Sequence, residues 1–251
     1  MTELSAAGVI FEREITPVLR NPIGLVFTIA QPLVFLLLFG PLLTDVPGTG
    51  GESAWQWFVP GIVVMTGLFG TAGAGWAIQA ELVGGSLERI LVTPVSRASI
   101  LAGKTLKEVF SLVAQAVIIV AVALPLGFRL YPLNVLAGLA LLAVFGIGLG
   151  SLAIALAIVL RRQQETFWAV YQFLLFPLVL LSGVLLPVED APGWLASASR
   201  INPITYLVEA ERALFAGDFV HASVPAGVVA AAVTAAIGLV AGARAMRTAS
   251  L

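Results

Sequence analysis

The stretch that decides the fold is "LERILVTPVSRASILAGKTLK", Leu87 to Lys107. Its Gly103-Lys104-Thr105 resembles the end of a phosphate-binding loop, and Ile90 and Val92 ahead of it could belong to a strand. Read that way, the chain would be an α/β nucleotide-binding domain. Such a loop needs Gly-x-x-x-x-Gly-Lys-[Ser/Thr], because glycines let successive backbone N–H groups turn toward phosphates. Counting back from Gly103, the first glycine belongs at position 98, and the chain has Ala98 there. No acidic strand follows to hold magnesium, and the next residues run into an apolar stretch. The triplet therefore belongs to a helix entering a bilayer, with Lys104 and Lys107 expected to anchor it at the lipid headgroups.

Composition points the same way. Of 251 residues, 59% are apolar and 11% charged, and the mean hydropathy is +1.03. A soluble domain carries about 25% charged residues, so the polar surface is too small for a water-facing globule. The chain reads as an integral membrane protein. With no cysteine and a single histidine, His221, disulfides, thiolate chemistry and Cys/His metal sites drop out. Glu3, Glu12, Arg13, Glu14 and Arg20 interrupt the first twenty residues, where a cleavable signal peptide would need an apolar core.

A bilayer core needs about 20 apolar residues of helix. Six stretches qualify, about 23–43, 57–79, 106–125, 134–160, 166–187 and 224–243. Arg13, Arg20, Arg89, Arg97, Lys104, Lys107, Arg161, Arg162, Arg244 and Arg247 then share one side, and only Arg129, Arg200 and Arg212 fall on the other. The positive-inside rule makes the first side cytoplasmic, with both termini there. Before the first span, Leu4, Ala7, Phe11, Ile15 and Val18 recur at helical steps, which predicts an amphipathic interfacial helix over residues 1–22. Asn21-Pro22 should end it.

Between the second and third spans, Gly84-Gly85-Ser86 should break the helix, with Ser86 as an N-cap. Thr93, preceding Pro94, is pushed out of the α region and should close a short helix over about 86–92. Ser96 can then cap the next one. A compact charged helix is thus expected, pinned between two spans.

The pattern Glu81-x-x-x-Gly85-Ser86-Leu87-Glu88-Arg89-x-Leu91-x-Thr93-Pro94-x-Ser96-Arg97, with Gly103-Lys104 beyond, resembles the cytoplasmic signature of type-2 ABC transporter permeases of the daunorubicin- and multidrug-resistance kind. "LSGVLLPVEDAPGWLASASRINPITYLVEAER", Leu181 to Arg212, resembles the same family's Ser-Gly-x-x-x-Pro, Pro-x-Trp, Asn-Pro-[Leu/Ile]-Thr-Tyr and closing Arg. Ser86 stands where Thr is usual, and Glu189-Asp190 is a local departure.

The resemblance implies an all-α polytopic protein in the cell inner membrane, with residues 23–251 forming one transmembrane domain. It implies that the helix at 86–92 is a coupling helix docked on a separate ABC ATPase. Glu81, Glu88 and Arg89 would offer charged contacts, and Leu87, Ile90 and Leu91 an apolar knob. Two ATPase copies and a second permease copy or paralogue would complete the assembly. ATP and Mg would sit on the ATPase, no cofactor on this chain, and lipids but no nucleic acid among its partners.

The resemblance also places short re-entrant helices before the last span. Pro187, Asn202, Pro203, Tyr206, Glu209 and Arg212 would form an outer gate there, with Glu209, Glu211 and Arg212 buried and paired. A solvated outer loop is the competing reading. Deeply embedded ionisable groups are not expected in the spans. Phe27, Gln31, Phe35, Phe69, Tyr171 and Gln172 are candidates for a path taken by a lipophilic drug-like or lipid-type substrate. Lipid-linked glycans and glycolipids are the alternative cargo. An ion-coupled secondary transporter would need an intramembrane charge and internal repeats, and an intramembrane enzyme a Ser/His pair or paired aspartates. The sequence displays neither set.

Overall fold

The computed structural model describes residues 3–41, 54–161, 163–185 and 192–249. These residues form α1 (Glu3–Leu19), α2 (Pro22–Phe39), α3 (Ala54–Gly70), α4 (Ala72–Gly84), α5 (Ser86–Leu91) and α6 (Arg97–Ala123). After a 3-10 turn at Leu124–Leu126 come α7 (Pro132–Leu160), α8 (Gln164–Leu180), α9 (Gly193–Ile201), α10 (Pro203–Phe215) and α11 (Ser223–Thr248). Among the described residues there is no strand. α2, α6 with its 3-10 turn, α7, α11, and α3 with α4 taken together are long and apolar enough to cross a membrane, five candidates.

The sixth expected segment, 166–187, corresponds to α8, which stops at Leu180 after 17 residues. Gly183 takes a left-handed φ of 74°, and Ser182 Oγ donates to Val179 O at 2.7 Å. Together they turn the chain before the expected end; residues 186–187, like 42–43 of the first expected span, lie outside the described residues.

Local signals account for several boundaries. Asn21 accepts from the Gly24 N–H at 2.9 Å and Pro22 opens α2, whose fixed φ suits a first helical turn. Ser96 accepts from the Ser99 N–H at 3.1 Å, so α6 begins at Arg97, well before the apolar run.

The expected second span is not one straight helix. Thr71 separates α3 from α4. Tyr171 of α8 donates its hydroxyl to Leu68 O at 2.9 Å and lies 3.1 Å from Thr71 Oγ1. Kinks are found where a side chain inserts into the backbone ladder; here Thr71 itself donates to Leu68 O at 3.0 Å and is joined by Tyr171 from a hundred residues away.

Contacts define two ends of a bundle. At one end Leu82, Leu87, Ile100, Ile158, Phe167 and Met246 share a buried cluster, and Arg97 donates to Arg247 O at 2.6 Å. At the other, Trp57, Phe128, Val135, Leu207 and Phe215 belong to a second. The most extensive pairing joins α7 to α11. Side chains added at Gly148 or Gly238 would strike the facing backbone, so the two helices cross in backbone contact, as small residues permit in membranes. Gly67 and Gly146 abut Leu112, while Gly70 faces open space.

α1 is helical over most of the expected stretch. Of the expected stripe, Ile15 is buried and Ala7, Phe11 and Val18 are half-buried, with Ala6 and Ile10 buried beside them, while Leu4 is 87% exposed. Gly103 draws Ile10 inward: a Cβ there would sit 2.6 Å from Ile10 Cβ and 2.8 Å from Ala7 O. α1 is seated on α6 through this glycine.

Candidate functional site: elbow, ion cluster and packed short helix

The elbow is built by its own sequence. Gly85, at φ 68°, closes α4 by donating its N–H to Glu81 O, and α5 begins at once. This corrects the expected cap: Ser86 is the first helical residue and makes no capping bond, because Gly85 supplies the turn. Thr93 closes α5 as expected, donating its N–H and its hydroxyl to Ile90 O at 3.0 and 2.6 Å.

Two of the expected contact residues face inward. Leu87 is fully buried, packed with the cluster at the lower end of the bundle, and fastens the elbow instead of forming a knob. Glu81 is engaged within the chain. Its Oε1 lies 3.3 Å from Arg13, and its Oε2 lies 2.9 Å from Lys104 Nζ, off the hydrogen-bonding direction. Exposed on the elbow are Glu88, Arg89, Val92, Thr93 and Pro94, with Ile90 and Leu91 half-buried.

Lys104 is the centre of that ion cluster. Its side chain is 3% exposed, and it donates to Glu14 Oε1 at 2.9 Å. It is therefore not a headgroup anchor; the seating of α1 on Gly103 covers it. Thr105, the last residue of the phosphate-loop look-alike, donates its hydroxyl to Leu101 O at 2.9 Å, inside its own helix. The cluster ties α1, α4 and α6 together one turn above Gly85.

Lys107 and Glu108 form a second pair at 2.6 Å, with side chains 14% and 7% exposed. Both stand at the headgroup end of the expected third span yet are buried within the fold, and Glu211 is buried too. The signal was in the spacing: Leu101, Lys104, Glu108 and Leu112 lie on one buried stripe of α6. Leu207, Glu211, Leu214 and Phe215 share another on α10.

At the opposite end, α10 packs among α3, α7 and α11. Asn202 caps it by accepting from Ile204 N–H at 3.1 Å, and donates to Leu178 O at 2.7 Å. Pro203 opens the helix, and Tyr206 donates to Arg200 O at 2.6 Å. Arg212 donates to Gly183 O at 2.7 Å and Trp57 O at 3.2 Å. Its guanidinium lies 3.7 Å over the Trp57 ring, a cation–π contact. Pro187 lies outside the described residues.

Of the three charges expected to be buried and paired, Glu209 is exposed, Arg212 binds carbonyls and Trp57, and Glu211 is fully buried with neither carboxyl oxygen hydrogen-bonded. Burial pushes the Glu211 carboxyl up to about 8, since desolvation disfavours the charged form.

The expected path residues do not converge on one place. Gln31 and Phe69 meet Thr28, Thr66 and Gln115 around a cavity of about 130 Å³. Phe35 stacks on Phe39 along α2, and Phe27 is 73% exposed. Tyr171 serves the break at Thr71, and the buried Gln172 Oε1 has no hydrogen-bond partner.

A bundle of long apolar helices with a rigid charged elbow at one end and a packed short helix at the other is the frame of a membrane permease. The chain matches the ABC-2 type transporter family over residues 6–216, and it belongs to that family. It is 28% identical over 198 residues, 78% of this chain and 70% of the relative, to the daunorubicin resistance ABC transporter permease protein DrrB1 of Streptomyces coeruleorubidus. A protein named as a transport permease, ycf38 of Cyanophora paradoxa, is 33% identical over 201 residues, 78% of this chain and 69% of its own. "Probable multidrug ABC transporter permease YbhR" of Escherichia coli K12 is 28% identical over 170 residues, 65% of this chain and 45% of that one.

Proposed function

We propose that this chain is the permease subunit of an ATP-driven exporter. It moves a lipophilic, drug-like or lipid-type substrate outward and takes its driving force from a separate ABC ATPase. Family membership supports the class, and the names of DrrB1 and YbhR support drug-like cargo. In this reading α8 is a sixth crossing, the basic ends face the cytoplasm of a cell whose inner membrane holds the protein, and α9 and α10 re-enter the outer leaflet. Two permease copies join two ATPases, which carry the ATP and Mg.

The observation that carries the proposal is the construction of α5. Leu87 and the turn at Gly85 fix its angle, while Glu88, Arg89, Val92, Thr93 and Pro94 stay exposed at its tip. A buried anchor beneath an exposed charged tip suits transmission of a push from a docked partner into α4 and α6. Glu81, Gly85 and Ser86 position the tip in this scheme.

Efflux of a daunorubicin-type fluorescent substrate from cells, measured with and without the cognate ATPase gene, tests the assignment. Efflux should require the ATPase and fail when Arg89→Glu reverses charge at the tip. Efflux that persists without the ATPase overturns the proposal.

A further inference from the structure

We propose that the cavity between α1, α2 and α6 is a binding site for a bilayer lipid whose headgroup joins a phosphate to a primary ammonium. The cavity measures about 370 Å³. Ile15, Leu19, Ile29, Phe110 and Ile118 make it apolar, and Lys107, Glu108 and Ser111 form its polar end. Thr28, Gly70 and Gln115 are shared with the smaller cavity beside Phe69, which extends the slot along α2. α2 itself is mostly exposed, so an acyl chain can continue along its surface.

The polar end selects the headgroup. Lys107 follows Lys104 by about 5 Å along the helix axis, which puts the pair just inside the α1–α4–α6 ion cluster, at the depth of lipid headgroups and esters. The pair is neutral as a unit, at 2.6 Å. An ammonium has three donors and a carboxylate about four acceptor sites, so one mutual bond leaves most of both unused. Ser111 Oγ is buried beside them with no hydrogen-bond partner. A buried ion pair is sound only when further hydrogen bonds satisfy its remaining donors and acceptors. A zwitterion does this without changing the charge of the site: its phosphate accepts from Lys107, and its ammonium donates to Glu108. A purely anionic headgroup sets a second negative group beside Glu108, and a choline headgroup has no N–H to donate. Gly73 keeps the approach open, since a Cβ there would already reach 3.5 Å from Glu108 Oε1. The inference needs α2 and α6 in the bilayer, but not the export reading.

The test is native mass spectrometry of the full chain, purified in mild detergent and exchanged into micelles doped equally with phosphatidylethanolamine, phosphatidylcholine and phosphatidylglycerol. The wild type should retain one phosphatidylethanolamine with about ten-fold preference over the other two, the effect of one charge-assisted hydrogen bond. Glu108→Gln should abolish the preference, and Ala114→Trp, which fills the cavity, should abolish retention. Equal retention of all three lipids by the wild type, or preference for either of the others, overturns the proposal, as does a Glu108→Gln protein that keeps the preference. The wild-type competition decides the matter even where a variant fails to fold, and efflux activity does not enter it.

Discussion

Replacing Lys104 by methionine removes the one buried cation holding three helices together while keeping nearly the same side-chain volume. In the native fold its Nζ lies 2.9 Å from both Glu14 and Glu81, whose side chains are each 12% exposed. Without it, two largely buried carboxylates face each other with only Arg13, 44% exposed and 3.3 Å from Glu81, to compensate. Breaking a buried pair by removing one partner costs about 3–5 kcal/mol. Arg13 and the residual exposure favour the lower figure, so the expected loss is about 3 kcal/mol, roughly a hundred-fold or more in the folding equilibrium.

The five tryptophans make the measurement direct: fluorescence-monitored unfolding of the purified protein in detergent micelles. Because the desolvation of the carboxylates is the source of the loss, Lys104→Met combined with Glu14→Leu and Glu81→Leu should recover most of it. Added salt should barely change the wild-type value, since buried pairs are poorly screened. A Lys104→Met protein within about 1 kcal/mol of wild type, or a triple variant no better than the single, would refute the reasoning.

Leu87→Ala should destabilise the protein by about 2–5 kcal/mol in the same assay, whereas Arg89→Glu should leave stability unchanged and weaken co-purification of the ATPase; the reverse pattern would mean that the two faces of α5 have been misassigned. Glu211 has its folded pKa raised from the ordinary 4.5 to about 8 by burial, so its stabilising share is complete below pH 4.5 and declines as pH rises to 8. The slope is about 1.4 kcal/mol per pH unit, and pH-dependent unfolding should show it flattened in Glu211→Gln. Tyr171→Phe removes the phenol from Leu68 O and Thr71, which should lower stability by about 1 kcal/mol; a melting temperature equal to wild type would show that the hydroxyl does not matter to the break.

What could be read in advance was whatever neighbouring residues settle between themselves. Asn21-Pro22, Gly85, Thr93-Pro94, Ser96 and Asn202-Pro203 each act over three or four positions, and each marks a boundary in the structure. The apolar runs likewise announced the long helices, although α8 proved shorter because Gly183 turns the chain. The break at Thr71 was only half legible: Thr71 itself donates its hydroxyl to Leu68 O, but Tyr171, which donates to the same carbonyl, comes from another helix. The inward turn of Leu87, which depends on Ile100, Ile158 and Met246, could not be anticipated, nor could the engagement of Glu81, which depends on Lys104. Exposed and buried charges look alike in a string of letters until one asks whether they share a helical stripe with apolar residues. Glu108 does, and that question would have found it.

The glycine crossing of α7 and α11 carries a practical consequence. With Gly148 and Gly238 in backbone contact, neither helix can slide along the other without first separating, so the couple behaves as a fulcrum. Paramagnetic labels on its exposed faces, for instance at Val159 and Val240, would form a fixed reference frame. Displacements of α2 and of the elbow during a turnover cycle could be triangulated against it.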